Sequence, residues 1–173
     1  MMLDGTALLR RYRKGRAIRR PQAANEQKQN YSGKKKRHTR KPLAGVDPKK
    51  RVLVLTTARE GKVHDKRLLD DTDLAGSIPA EILIAVDLGF QGLQHQYNNI
   101  VIGHKKPKKQ ELSDEQKQDN RRLSQHRVKG EHAFAAVKRY GAISQIYRNR
   151  VIDFDDHLML TATGLWNFYL MAA

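Results

Sequence analysis

The chain contains no cysteine. That absence removes disulfides, thiolate nucleophiles and thiolate zinc sites, each of which needs the sulfur. Aromatic residues make up only 6% of the 173 residues, too few for a stacking platform that would hold single-stranded nucleic acid. Acids are also scarce: 18 Asp and Glu stand against 34 Lys and Arg, a formal charge of +16. No apolar run approaches the ~20 residues of a membrane-spanning helix. The opening residues, Met1-Met2-Leu3-Asp4, lack the apolar stretch of a signal peptide. A cytoplasmic protein without a membrane partner is expected, its cations serving a polyanion, with nucleic acid the first candidate. The length suits a single domain, 1–173, with its own hydrophobic core.

Residues 7–30 are basic and polar, and they read as mostly irregular chain laid along a charged ligand. The run YSGKKKRHT at 31–39 places Lys34, Lys35, Lys36 and Arg37 in a row after a Ser-Gly turn signal. Three readings fit it: a solvated loop or strand edge, a set of phosphate contacts, or a nuclear-targeting patch. Residues 36–46 and 51–57 form two strands joined by the turn Val46-Asp47-Pro48-Lys49-Lys50, an antiparallel hairpin. Residues 63–69 begin a short helix, where His64 and Asp65 read as a local hydrogen-bonding pair or, less simply, as ligands. Residues 81–86, Glu-Ile-Leu-Ile-Ala-Val, are apolar without alternation, as in an interior strand covered on both faces. This strand ends in Asp87, where open α/β sheets place their ligands. A buried carboxylate there requires charge balance, from a metal ion or a lysine.

Residues 99–103 make a further short strand, 104–109 a basic loop, and Ser113 with Gln116 a capping box that starts a helix extending toward Tyr140. At about 100° per residue, Arg127 and Lys138 fall within roughly 40° of Glu131 around that helix. Leu123, Phe134 and Val137 form the adjoining apolar stripe, and Gln125, Lys129, His132 and Arg139 lie opposite. A carboxylate at such a boundary can be held rigidly and still reach a ligand. The same spacing also describes an ordinary salt-bridged helix face. Residues 153–173 read as a packing helix with Asp153, Asp155 and Asp156 beside its positive end.

The resulting order is a truncated strand ending at Asp4, a hairpin, a helix, a buried strand ending at Asp87, a short strand, and the helix bearing Glu131. It predicts an α/β fold with a ribonuclease H-like mixed sheet flanked by helices, in which the first and fourth strands bring their acids to one sheet edge. Three carboxylates placed so can hold two divalent ions, Mg²⁺ or Mn²⁺ because every ligand is a hard oxygen.

Five segments then carry a family likeness: LDGT at 3–6, YSGKKKRHT at 31–39, GKVHDKRLLD at 61–70, DLGFQG at 87–92, and Arg127, Glu131 and Lys138 within 120–140. The chain resembles the catalytic domain of the DDE transposases of bacterial insertion sequences. The resemblance implies Asp4, Asp87 and Glu131 as the catalytic, metal-binding acids. It also places Arg127 and Lys138 on DNA near the cleaved phosphate, although Ser124 stands where related families often carry a tyrosine. Double-stranded DNA is the implied partner, held in part by Lys34 to Arg37. The implied chemistry is hydrolysis at the transposon end followed by attack of the freed 3′-hydroxyl on target DNA. The implied active species is a homo-oligomer associated with the nucleoid. The helix-turn-helix region usual in the family does not precede Asp4, which fits a decayed fragment or a frameshifted element and predicts weak cleavage by this chain alone. Two other classes of function fit the charge: a non-catalytic basic nucleic-acid-binding protein, and a regulatory fragment that poisons assembly of intact transposase.

Overall fold

The structure is a computed structural model that describes residues 16–108, 110–149, 151 and 153–173, with the backbone alone of residues 7–11. In chain order the elements are β1 (Ala7–Arg11), β2 (Arg16–Ala17), α1 (Ala24–Asn30), β3 (Tyr31–Ser32), β4 (Arg37–Lys41), β5 (Leu43–Val46), β6 (Val52–Leu55) and β7 (Arg59–Glu60). There follow α2 (Asp65–Thr72), β8 (Ile84–Val86), β9 (Ile100–Ile102), α3 (Asp114–Val137), α4 (Gly141–Ser144) and α5 (Phe154–Ala172). The architecture is mixed α/β.

The larger sheet has the order β6-β5-β1-β8-β9. Its central strand β1 runs antiparallel to β5 and parallel to β8, and β8 runs parallel to β9. The expected strand ending at Asp4 lies outside the described residues, among which β1 spans Ala7–Arg11. The basic stretch expected to be irregular also contains β2 and α1. Local composition argued for loop at Arg10 and Arg11, but the ladder with β5 holds their backbone extended, while β8 pairs with Ala7 and Leu8 on the other side, a tertiary demand that overrides propensity.

The expected hairpin is present as β4 and β5 followed by β6, with a kink at Pro42. Proline has no N–H to give a ladder, and the chain changes sheets at this residue: β4 pairs with β2, β3 and β7, whereas β5 pairs with β1 and β6. The turn into β6 is closed by Asp47, whose carboxylate accepts from the Arg51 backbone N–H at 2.8 Å and from Arg51 Nε at 2.7 Å.

Apolar side chains fill both faces of the larger sheet. On one face Ala44, Val46 and Val52 pack with Ala133, Phe134 and Val137 of α3, Ile143 of α4, and Met159 and Trp166 of α5. On the other, Leu43, Ile84 and Val86 pack with Leu68 and Leu69 of α2 and with Phe90 and Leu93. Helix α5 also closes an edge. Asn167 accepts from the Val52 N–H at 2.9 Å and donates to the Val52 carbonyl at 2.7 Å, substituting for a neighbouring strand. The outer side of α5 departs from the expected packing helix, since Leu165 and Phe168 are exposed. Among the described residues no helix is long and apolar enough to cross a membrane.

Candidate active site

Strand β8 places Asp87. Its three residues are buried, and Ile84 and Val86 contribute to the core on the α2 side. Alternation along a strand then turns Ala85 and Asp87 toward the opposite face, the one covered by α3. Asp87 ends the ladder and leads into a single 3₁₀ turn, Leu88–Phe90, closed by a 2.9 Å bond from Phe90 N–H to the Asp87 carbonyl. Phe90 and Leu93 anchor this loop in the core. Gly92 reverses the chain between them at φ +95°, a backbone state that costs glycine nothing.

Helix α3 supplies the facing side. Ser113 and Gln116 form the expected capping box in both directions, at 3.2 and 3.1 Å. The loop after β9 is fastened to the same helix by Asn120, which accepts from the His104 N–H at 2.8 Å and donates to its carbonyl at 3.0 Å. Gly103 permits this approach, because a Cβ there would stand 2.8 Å from Asn120 Oδ1. Farther along α3, Gly130, Ala133, Phe134, Ala136 and Val137 are buried, so the C-terminal half of the helix is seated on the sheet. Its half-buried boundary carries Arg127, Glu131 and, at the C-cap with helical dihedrals, Lys138.

The two sides meet through charge. Arg127 Nη2 lies 2.7 Å from Asp87 Oδ1, with both side chains about one-third exposed at 31% and 32%. Glu131 follows Arg127 by one helical turn, a rise of about 6 Å. An arginine thus supplies charge balance to Asp87, where the sequence suggested a metal ion or a lysine. Nothing local signals this pair, which joins residues forty apart; the shared face of Arg127 and Glu131 was its only trace.

Two of the three expected acids thus flank one cation. Their oxygens suit a hard divalent ion such as Mg²⁺ or Mn²⁺. Among the described residues, however, no group of three His, Cys, Asp or Glu side chains stands close enough to hold a metal. Continuing the parallel register, in which Leu8 pairs with Ala85, the β1 position level with Asp87 is Arg10. Lys34, Lys35, Lys36 and Arg37 lie elsewhere, at the β3–β4 turn of the smaller sheet, with Lys34, Lys36 and Arg37 exposed. A cleft of about 720 Å³ includes Arg19, Arg20, Arg40 and Arg148 in its lining but none of Asp87, Arg127 or Glu131. His64 caps α2 by accepting from the Lys66 N–H at 3.4 Å, a different local role from the expected pair with Asp65, whose Oδ1 meets Lys41 Nζ at 2.8 Å.

The family model of DDE superfamily endonucleases matches residues 16–167. The chain belongs to the DDE superfamily endonucleases. The chain is 32% identical over 154 residues to a probable transposase for insertion sequence element IS702 from Microchaete diplosiphon. That alignment covers 88% of the chain and 54% of the relative, so the chain spans about half the length of the curated relative it matches. No solved structure matches it. The stretch matched to the DDE endonuclease family takes in Lys34 to Arg37, Asp87, Arg127, Glu131 and Lys138, and it begins after Asp4.

Proposed function

We propose that the chain is the catalytic part of an insertion-sequence transposase, which cleaves double-stranded DNA at the element's ends and joins them to target DNA with the help of divalent ions. One observation carries this reading: the 2.7 Å pair between Asp87 and Arg127 ties the end of an interior strand to the helix that presents Glu131. The sheet order, with a central strand antiparallel to one neighbour and parallel to the other, supports a ribonuclease H-like core.

Asp87 and Glu131 are assigned as metal ligands, with Asp4 as the third acid carried over from the resemblance. These acids would hold two Mg²⁺ or Mn²⁺ ions, whose chemistry would be to polarise the scissile phosphate and lower the pKa of the attacking water or hydroxyl. Arg127 and Lys138 hold phosphate oxygens beside the cut, Arg127 with a planar fork suited to two of them. Lys34 to Arg37 grip the duplex farther away through phosphates, without reading sequence. The working species is an oligomer on DNA. A second reading, a non-catalytic DNA-binding or regulatory fragment, fits the charge of +16 equally well.

A nicking assay on plasmid DNA bearing the element's ends separates the two. The isolated chain is expected to nick weakly with Mg²⁺ or Mn²⁺, and Asp87→Asn and Glu131→Gln to abolish the nicking while DNA binding persists. Binding without nicking under either metal would leave the non-catalytic reading. Robust end-specific cleavage would overturn the expectation of weak activity.

A further inference from the structure

We infer that Arg127 is a built-in counter-ion which competes with divalent cations for Asp87 and yields the carboxylate when a DNA phosphate draws the guanidinium away. The inference rests on the reading of Asp87 as a metal ligand and adds a coupling between metal loading and DNA. The geometry that carries it is the 2.7 Å contact to Asp87 Oδ1. Mg²⁺ and Mn²⁺ demand close, direct oxygen ligation, at about 2.0–2.1 Å for Mg²⁺. A guanidinium already seated on that oxygen competes for its lone pairs and adds a positive charge beside the incoming ion.

The pair is also placed for exchange. Both side chains are about one-third exposed, so a cation or phosphate can approach without unfolding. Arg127 stands well inside the 24 residues of α3, and the next turns of that helix are buried from Gly130 onward. Its backbone is held by the helix, so exchange takes place by rotation about side-chain bonds. The guanidinium binds phosphate as readily as carboxylate, with the same bidentate fork. A phosphate that takes Arg127 therefore raises the affinity of Asp87 for metal, and by linkage metal on Asp87 raises the affinity for that phosphate.

The test is titration of the full chain with Mn²⁺ in the absence of DNA, free ion being followed by electron paramagnetic resonance. Arg127→Met is expected to tighten Mn²⁺ binding about threefold to fivefold, the upper scale of a partly exposed ion pair. Arg127→Lys, which keeps the charge but loses the planar grip, is expected to tighten it about twofold and serves if the methionine variant does not fold. Arg122→Met removes an exposed cation from the same helix. It stands about 7.5 Å along α3 and about 140° around it from Arg127, and salt screens such an exposed charge, so Mn²⁺ affinity should be unchanged. Binding that is unchanged or weakened in the Arg127 variants, or equally tightened by Arg122→Met, overturns the inference. Asp87→Asn reports on the underlying reading. If it lowers Mn²⁺ affinity while the Arg127 variants do nothing, the site stands and the competition falls; if it leaves affinity unchanged, the metal site itself falls.

Discussion

Replacing Gly61 with alanine tests how closely the chain after β7 is seated between β4 and α1. Gly61 follows β7, which pairs with β4, and the chain there passes between Thr39 of β4 and the last residue of α1, Asn30. A methyl group on Gly61 would stand 2.1 Å from Thr39 Oγ1, 2.7 Å from the Thr39 carbonyl oxygen and 2.9 Å from the Asn30 carbonyl oxygen. The hydroxyl can rotate, but the two carbonyls belong to backbone, and even weakly bonded carbon–oxygen contacts lie near 3.3 Å. Relief requires both sides to part by about half an ångström. Thr39 cannot move alone, since it is 3% exposed and its strand is bonded to β2, β3 and β7. Overpacking of this kind costs about 1–3 kcal/mol, and the simultaneous backbone contacts put Gly61→Ala near the top of that range. With a urea m-value of ~2 kcal/mol/M the unfolding midpoint should fall by about 1–1.5 M at constant m. Urea denaturation followed by tryptophan fluorescence measures this directly, because Trp166 packs in the core. A change below ~0.5 kcal/mol would mean that the close approach is not a real constraint.

Two further perturbations address stability and local order. Burial raises the Asp156 carboxyl above its ordinary value of 3.8, while the bond from the Ala58 N–H works in the opposite direction. The native state therefore keeps this proton to higher pH than the unfolded chain, and stability falls as pH rises from 3.8 through the folded value. Asp156→Asn retains an acceptor for Ala58, so its melting temperature relative to the parent should rise across that window and stay level above it; a loss of more than ~1 kcal/mol at pH 7 would refute the sign. Asn120→Ala removes both bonds to His104, and the amide of His104 should lose hydrogen-exchange protection at a cost of about 1 kcal/mol. Unchanged exchange there would show that the loop after β9 is held by something else.

The strands legible in the sequence were those whose burial left a pattern. Ile84 to Val86 are covered on both faces and read as an uninterrupted apolar run. The capping box at Ser113 was equally plain, because both of its partners lie within three residues. β1 was not legible. Ala7–Arg11 ends in two arginines, and only its pairing with β5 and β8 makes it the central strand. The meaning of the matched motifs was hidden for a similar reason. The run at 31–39 and the GKVHDKRLLD segment read as separate signals, yet Thr39 sets the space that Gly61 must fit. Nearby, Lys41, 5% exposed, meets Asp65 at 2.8 Å. Much of what makes these two segments recognisable is the contact between them.

The acids show why spacing could suggest the candidate site without assigning its roles. In a chain of +16 the carboxylates are few, and many of them hold the fold together. Asp47 closes a turn on Arg51, Asp65 anchors Lys41, Asp155 meets Arg40 at 3.1 Å, and Asp156 accepts from Ala58 at 2.8 Å. The pair Asp155 and Asp156 would suit the start of a helix by dipole alone, but both are buried and reach across to the sheet side. Asp87 differs in what its partner brings with it. Arg127 belongs to the helix that carries Glu131, and that helix is positioned by Ala133, Phe134 and Val137 packing against Ala44, Val46 and Val52. Apolar packing thus brings the strand end and the helix face together. The charges then settle within that frame, so that an arginine holds the carboxylate proposed as a metal ligand.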